Sequence, residues 1–241
     1  IQAGDPLPYV FGRTAIAPYI YTAHADGDYL YVDYIVSVGV CESFVTLIQG
    51  GEDIGTPSSG FEYFLGTAGQ SASSLMSSVI PGYDSLPNVC HFIARLGKDD
   101  SMDFRVVMEG IKTFDPRTSP QAEAYSTNPA LALARVLTDC GYTCDYDTVA
   151  AAAHYNDQDV SGTKRWELNL PIQNRQNIST WVQALSTYAS VFVDIDGGKA
   201  SFVLDAPVTT SPVVTRNVTS DDIVAGSAKT TKAGTKDVPE Q

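Results

Sequence analysis

Five polar residues in two predicted turns have the side-chain types that acid–base catalysis or cation binding uses. His24, Asp26 and Asp28 combine an imidazole with carboxylates, the groups that general acid–base catalysis needs. Asp194 and Asp196 are similar to the first ligands of a calcium loop, but the later oxygen ligands and the closing Glu are missing. Both sets lie in turns, where Asp is common for conformational reasons. We therefore expect solvated turn residues at both places.

A third group in the centre of the chain has residue types that bind zinc. His154, Asp157 and Asp159 follow a predicted helix, and Cys140 and Cys144 precede it at a spacing of four residues. A zinc site needs four ligands at matching spacing, and no second histidine completes this set. The four cysteines of the chain are Cys41, Cys90, Cys140 and Cys144. We expect reduced, partly buried thiols, with no metal site and no cofactor.

The motifs that identify common catalytic sites are missing from the sequence. It contains no Gly-x-Ser-x-Gly nucleophile turn, no Gly-rich phosphate loop with Lys-Ser/Thr, and no His-Glu-x-x-His pair. We predict that the chain is not an enzyme and has no catalytic residues. A dyad assembled from residues distant in sequence would leave no such motif, so that alternative stays open at this stage.

Composition and charge exclude two classes of protein. The chain has 28 acidic and 15 basic residues, a formal charge of −13. Proteins that grip nucleic acid usually carry a basic patch, so we expect no specific nucleic-acid binding. No run of 18 apolar residues occurs, and this excludes a transmembrane helix. The chain starts at Ile1 without Met and ends in a polar tail, and we interpret it as a piece of a longer polypeptide.

Residues 1–118 have the pattern of a β-rich domain. Alternating apolar residues and turn signals predict five strands, at residues 14–22, 29–38, 43–49, 88–96 and 104–114. We expect the first three to form an antiparallel meander. Residues 55–85 are rich in Gly and Ser but contain apolar residues that need burial, so we expect an ordered excursion with one short helix.

The stretch from Gly110 to Tyr155 contains the signals that organise the rest of the chain. Asp115 and Pro116 end a strand, because proline has no N–H for a β-ladder and restricts the residue before it. Asn128 and Pro129 predict a helix start, with Asn as the N-cap and proline at the first helical position. An apolar stripe follows at helical spacing, formed by Ala130, Leu133, Ala134 and Leu137.

The turn Asp115-Pro116-Arg117-Thr118 is the predicted junction between two domains. A planar guanidinium binds carbonyls or a carboxylate through two parallel hydrogen bonds. We predict that Arg117 fixes the β-rich domain to the domain that follows. The alternative is an exposed charge with no structural role.

Residues 119–211 have the mixed pattern of a smaller α+β domain. Gly141 is expected to end the first helix and Asp147 to cap a second. Asn177 or Ser179 should cap a third helix, whose apolar face would be Trp181, Leu185 and Tyr188. A strand is expected at residues 165–172, and a hairpin around the Gly197-Gly198 turn. We interpret residues 212–241 as a connecting segment that leads into a further β domain.

Short motifs along most of the chain occur in the order found in one protein family. They lie at residues 4–13, 66–70, 110–112, 115–118, 125–131, 204–207 and 219–226. In this order the sequence resembles the central tail-hub, or tip attachment, proteins of long-tailed bacteriophages, which have relatives in gene transfer agents. The resemblance implies a virion protein at the distal end of the tail. It also implies a homotrimeric ring that contacts a distal tail protein, other tail-tip proteins and the tape-measure protein, with DNA only in passage.

Two other functions remain as alternatives. A receptor- or carbohydrate-binding module would use exposed aromatic residues, and the chain has 13 Tyr and 2 Trp. Most of these lie in strand or helix patterns that bury them, and no binding residues can be assigned. The third class is a cell-wall hydrolase fused to a tail, which the missing catalytic motifs disfavour.

Overall fold

A computed structural model describes residues 7–174 and 176–206, which contain sixteen strands and four helices. The strands are β1 (Tyr9–Phe11), β2 (Arg13–Ile16), β3 (Tyr19–Asp26), β4 (Tyr29–Val38), β5 (Cys41–Gln49), β6 (Glu52–Gly55), β7 (Phe61–Leu65), β8 (Val89–Leu96), β9 (Phe104–Phe114), β10 (Glu123–Tyr125), β11 (Thr143–Cys144), β12 (Asp159–Val160), β13 (Thr163–Lys164), β14 (Leu170–Ile172), β15 (Val191–Asp196) and β16 (Lys199–Leu204). The helices are α1 (Ser74–Val79), α2 (Pro129–Asp139), α3 (Tyr146–Asn156) and α4 (Ile178–Ala189). The predicted α+β, β-rich fold class is confirmed.

Two antiparallel sheets form the first half of the fold. One has the strand order β3-β4-β8-β7, and the other has the order β10-β9-β5-β6, with β2 also paired to β9. Apolar residues from both sheets share one core, in which the rings of Tyr34 and Phe92 stack with their centroids 4.8 Å apart. The sheets therefore pack face to face, with the apolar side of each strand turned inward.

The predicted meander is wrong, because β5 does not join β4. At Gly39, with φ of +81°, the chain leaves the first sheet. Cys41 then pairs with Ile111 of β9 in the second sheet. Glycine reaches a positive φ without the steric cost of a side chain, and this allows the abrupt change of sheet.

The helices and the last hairpin form a second core. Leu133, Leu137, Val149, Leu185 and Phe202 are buried in it. Strands β15 and β16 pair antiparallel around the predicted Gly197-Gly198 turn, and β11 adds in parallel to β16.

Several predicted element bounds differ from the structure. The strand expected at residues 14–22 is two strands in different sheets, separated at Ala17-Pro18, because proline has no N–H to donate to a ladder. The strand expected at 165–172 is limited to Leu170–Ile172. The short helix expected within residues 55–85 is α1, but β7 in the same stretch was not predicted.

Two helix predictions need correction. Asp145, not Asp147, is the N-cap of α3, and its side chain accepts a hydrogen bond from the Asp147 amide. Tyr188 was expected on the buried face of α4 but is 52% exposed, whereas Leu185 is fully buried. Of the two residues predicted as the N-cap of α4, Asn177 is the cap, and Ser179 lies inside the helix.

The domain bounds at residues 118 and 211 stay predictions. Residues 212–241, the predicted connecting segment, lie outside the described residues. So do three of the motifs, wholly or in part, at residues 4–13, 204–207 and 219–226. In the described part of the chain, no helix is both long and apolar enough to cross a membrane.

Candidate functional site

The Asp115-Pro116-Arg117-Thr118 turn follows directly after β9. The Asp115 carboxylate accepts two hydrogen bonds from the Arg117 side chain, from Nε at 2.9 Å and from Nη2 at 2.7 Å. It also accepts one from the Arg117 amide at 2.9 Å. The Thr118 hydroxyl donates to the Asp115 carbonyl at 3.0 Å. Contacts within the turn alone therefore hold the guanidinium of Arg117 in one orientation.

The guanidinium of Arg117 also binds a carboxylate from the helical part of the fold. Its Nη1 lies 2.8 Å from Oδ2 of Asp157, the residue that caps the C-terminus of α3. Lys164 Nζ lies 3.0 Å from the other oxygen of Asp157. Both the Arg117 and Asp115 side chains are only 15% exposed. The contact joins the end of β9 to the end of α3, and its contribution to stability stays a prediction.

The contacts with Arg117 lower the pKa values of both carboxylates in this cluster, Asp115 and Asp157. Hydrogen bonds from the Arg117 side chain lower the pKa of Asp115 below its usual value. Burial raises the pKa of Asp157, but hydrogen bonds from Lys164, Arg117 and Asn128 outweigh it, so the pKa is lowered overall. Both carboxylates therefore stay charged in the folded protein at pH values where free aspartate begins to protonate.

We expect replacement of Arg117 by lysine to destabilise the protein by about 1–2 kcal/mol. Lysine keeps the charge but cannot bind Asp115 through two parallel bonds and reach Asp157 at the same time. Thermal unfolding of Arg117→Lys measures the effect. Arg105→Lys, at an exposed position in β9, is the matched control and should unfold like wild type. Equal melting temperatures for wild type and Arg117→Lys would disprove the role of Arg117.

We expect the free energy of unfolding to decrease as the pH falls below about 4. The pKa of Asp115 and that of Asp157 are lower in the folded than in the unfolded protein. Their stabilising contribution is complete above the unfolded value and is lost as the pH falls through the folded values. Denaturant titrations across this range should give a shallower pH dependence for Asp115→Asn than for wild type. Asp26→Asn, outside the cluster, should keep the wild-type dependence, and a wild-type slope for Asp115→Asn would contradict the assignment.

Asn128 connects the first two long helices. Its Oδ1 accepts hydrogen bonds from the amides of Ala130 at 3.0 Å and Leu131 at 3.4 Å, as expected of an N-cap. Its Nδ2 donates to the carbonyl of Ala153 in α3 at 2.9 Å. Asn128 is 1% exposed. The predicted helix start is thus also a buried contact between α2 and α3.

A buried polar network that the sequence did not predict lies on the outer face of the first sheet. His91 Nδ1 lies 2.8 Å from Oδ1 of Asp33, and the Tyr83 hydroxyl donates to Oδ2 of the same carboxylate. Burial, with this hydrogen bond, raises the pKa of Tyr83. The ring of Phe64 stacks on His91 with the centroids 4.5 Å apart. The signal in the sequence was an Asp and a His in the middle of two apolar strands.

The Asp33–His91 pair has the donor–acceptor arrangement of a general base, but both side chains are buried in this structure. Asp33 is 0% and His91 1% exposed. His91 Nε2 has no hydrogen-bond partner among the described residues, so no nucleophile lies against it there. The network instead fixes the segment containing α1 to the sheet, because Tyr83 follows α1 and reaches Asp33 in β4.

The other polar groups singled out in the sequence are dispersed. His24 and Asp26 are exposed at the end of β3, and Asp28 pairs with Lys98 on the surface. His154 is exposed near the end of α3. Among residues 7–174 and 176–206, no three His, Cys, Asp or Glu side chains are grouped so as to hold a metal ion. Asp194 and Asp196 are exposed in β15.

An open groove of about 550 Å³ lies between α4 and β15. Ile178, Val182, Val193 and Ile195 line it, and Asp205 is the one carboxylate on its wall. Polar side chains line it as well, among them Ser179, Gln183 and Ser186. The groove therefore combines an apolar floor with polar side chains along its wall.

The comparisons with known proteins identify the fold. No family model and no curated protein matches the sequence. Among solved structures, the chain is similar to a chain of the structure titled "Virion of native gene transfer agent (GTA) particle", with a TM-score of 0.57 and 12% sequence identity. The match covers 84% of this chain and 53% of that chain. This chain therefore has a fold that makes up about half of a longer virion chain.

Proposed function

We propose that this chain is a structural subunit of a phage-like virion and forms part of the trimeric central hub at the distal end of the tail. The observation that carries the proposal is the shared fold, which extends over 84% of the chain and is found in a gene transfer agent particle. The ordered motifs of the sequence, which resemble the tail-hub family, support the same placement. In this role the chain assembles with a distal tail protein, other tail-tip proteins and the tape-measure protein.

The contacts around Arg117 suit a structural subunit. The guanidinium of Arg117 joins β9 to α3 through two carboxylates, and in the proposed role this contact keeps the two elements in a fixed position. Asn128 adds a second buried connection between α2 and α3. The buried Asp33–His91–Tyr83 network fixes a surface segment to its sheet. Each of these polar groups holds elements in place, and we propose no enzymatic activity for the chain.

The charge of the chain suits a conduit for DNA. With a formal charge of −13, the protein repels a polyanion, and weak contact lets DNA pass without being retained. We propose that DNA contacts this protein only in passage. A strongly positive lumen in the assembled ring would contradict this part of the proposal.

Particles that contain the full polypeptide test the proposal directly. Antibodies raised against residues 7–206 should label one pole of each particle, at the tail end opposite the head, and averaged images of that pole should show three copies. Antibodies against a head protein serve as the control for the other pole. Labelling of the head, or of both poles equally, would reject the hub assignment.

A further inference from the structure

Two of the four cysteines meet at the corner where the chain passes between the two sheets. Cys41 is the first residue of β5, and Cys90 is the second residue of β8. They belong to different sheets, both are 0% exposed, and both lie in the core between the sheets. Their thiols are close enough that the Cys41 side chain affects the ionisation of Cys90. This is a pair of buried sulfurs with no role in the proposed function.

The backbone segments next to the two cysteines are in direct contact. The amide of Gly39 donates to the carbonyl of Asn88 at 2.7 Å, so the link into β5 runs beside the start of β8. Gly66 packs into the same corner, where a Cβ atom on it would lie 2.1 Å from the Gly39 carbonyl oxygen and 3.1 Å from the Cys90 nitrogen. Three segments of backbone are therefore in close contact around the thiols, and the corner has little freedom to separate them.

The other two cysteines are arranged differently. Cys144 is buried, and its sulfur lies 3.7 Å from the Ala134 carbonyl and 3.8 Å from the Thr138 hydroxyl. Cys140 is exposed at the end of α2. The sulfur of Cys144 is thus directed at the backbone of α2, while Cys140 faces solvent.

We propose that Cys41 and Cys90 are an oxidisable pair that forms a disulfide between the two sheets in the presence of a low-molecular-weight disulfide such as oxidised glutathione. The thiolate of one cysteine attacks a sulfur of the oxidant, and one glutathione thiolate leaves. The second cysteine thiolate then attacks the protein sulfur of the mixed disulfide, and the second glutathione leaves. Two protein thiols are oxidised, one small disulfide is reduced to two thiols, and the two protons pass to the departing thiolates.

The burial of the pair determines when the reaction takes place. Burial, followed by the hydrogen bond with Cys41, raises the pKa of Cys90, so the folded protein holds little of the reactive thiolate. The oxidant also cannot reach sulfurs that are 0% exposed. The cross-link therefore forms slowly in the folded protein and rapidly while the chain folds.

A cross-link at this corner should stabilise the protein. The two cysteines are about 50 residues apart, and a disulfide that closes a loop of this length restricts the unfolded chain substantially. For a protein of this size the expected increase in melting temperature is about 5–10 °C. The increase should disappear when a reductant is added.

The experiment uses the full chain with Cys140→Ser, which removes the exposed thiol. The protein is unfolded in denaturant and refolded with oxidised and reduced glutathione, free thiols are alkylated, and peptides from a non-reducing digest are analysed by mass spectrometry. We expect a linked peptide pair containing Cys41 and Cys90, with a mass lower by two hydrogen atoms, and an alkylated Cys144. Cys90→Ala in the same background should leave Cys41 alkylated.

Two results would overturn the inference. One is complete alkylation of Cys41 and Cys90 after oxidative refolding to the native state, as judged by circular dichroism. The other is a link that joins Cys144 to either of them as the main product. A Cys41–Cys90 link in a protein whose melting temperature is unchanged would reject the stabilising role. The test for the Cys41–Cys90 link is made on the Cys140→Ser chain, so it remains valid even if the Cys90→Ala control does not fold.

Discussion

Replacement of Gly110 by alanine is expected to destabilise the protein by about 4 kcal/mol or to prevent folding. Gly110 lies in β9 where β1 crosses it, and a Cβ atom there would lie 2.0 Å from the Val10 carbonyl oxygen and 2.6 Å from its carbon. The Val10 backbone cannot retreat easily. Its amide donates to the Ser37 hydroxyl at 3.2 Å, and the Gly110 amide donates to Gly12 at 2.8 Å. Two backbones in contact leave no flexible side chain to absorb the added methyl group.

Gly69 supplies the matched control for this prediction. A Cβ atom on Gly69 meets no atom within 4 Å, and its φ is not in the left-handed region. Gly69→Ala should unfold within about 0.5 kcal/mol of wild type. Chemical denaturation followed by circular dichroism compares the two variants. If Gly110→Ala were as stable as Gly69→Ala, β1 would not cross β9 at the distance seen here.

The parts of the fold that the sequence predicts correctly are those set by neighbouring residues. Asn128 with Pro129 marks the start of α2, and Asn177 marks the start of α4, because a cap needs only a side chain and the next two or three amides. Asp145 and Asp147 both have the right chemistry to cap α3. The choice falls on Asp145 because its amide pairs with the Ala200 carbonyl of β16 at 2.8 Å, a contact distant in sequence.

Outside the β15–β16 hairpin, which its Gly-Gly turn predicts, strand pairing is the part that the sequence does not predict. The apolar alternation of β4 and β5 is the same whether they form a hairpin or lie in two sheets. The spacing of two residues between them favours a hairpin, which the structure does not form. The positive φ of Gly39 directs the chain from the first sheet into the second. Because glycine also occurs at many turns within one sheet, its presence in the sequence does not predict this change. The partners of β9, which are β2, β5 and β10, lie up to about 100 residues away in the chain.

In the candidate site, too, the contacts between residues distant in sequence are the ones that the sequence does not predict. The residue types in the turn at Asp115 predict that Arg117 binds a carboxylate, and the nearby partner Asp115 is readable from the sequence. The second partner, Asp157, is not readable from the sequence, because only the packing of α3 brings it close to Arg117. Its position near His154 suggested a metal ligand instead. Asp33 and His91 were overlooked since each alone looks like an isolated polar residue in a strand, and only the pairing of β4 with β8 brings them together.

Replacement of Asn128 by alanine is expected to cost about 2–4 kcal/mol, more than the loss of an ordinary cap. The substitution leaves the amides of Ala130 and Leu131 without their acceptor at a position that is 1% exposed, so water cannot replace it. It also removes the donor to the Ala153 carbonyl. An unsatisfied buried donor loses its full hydration, which is why burial increases the effect.

Asn177 provides the comparison that separates burial from capping. It caps α4 in the same way, through the Ser179 amide at 3.1 Å, but is exposed. Asn177→Ala should therefore cost only about 1 kcal/mol. Asn128→Ser, which keeps the cap but not the donor to Ala153, should fall between Asn128→Ala and wild type in denaturant titrations. If Asn128→Ser were as destabilised as Asn128→Ala, the cap would contribute nothing, and the bond to α3 would account for the whole effect.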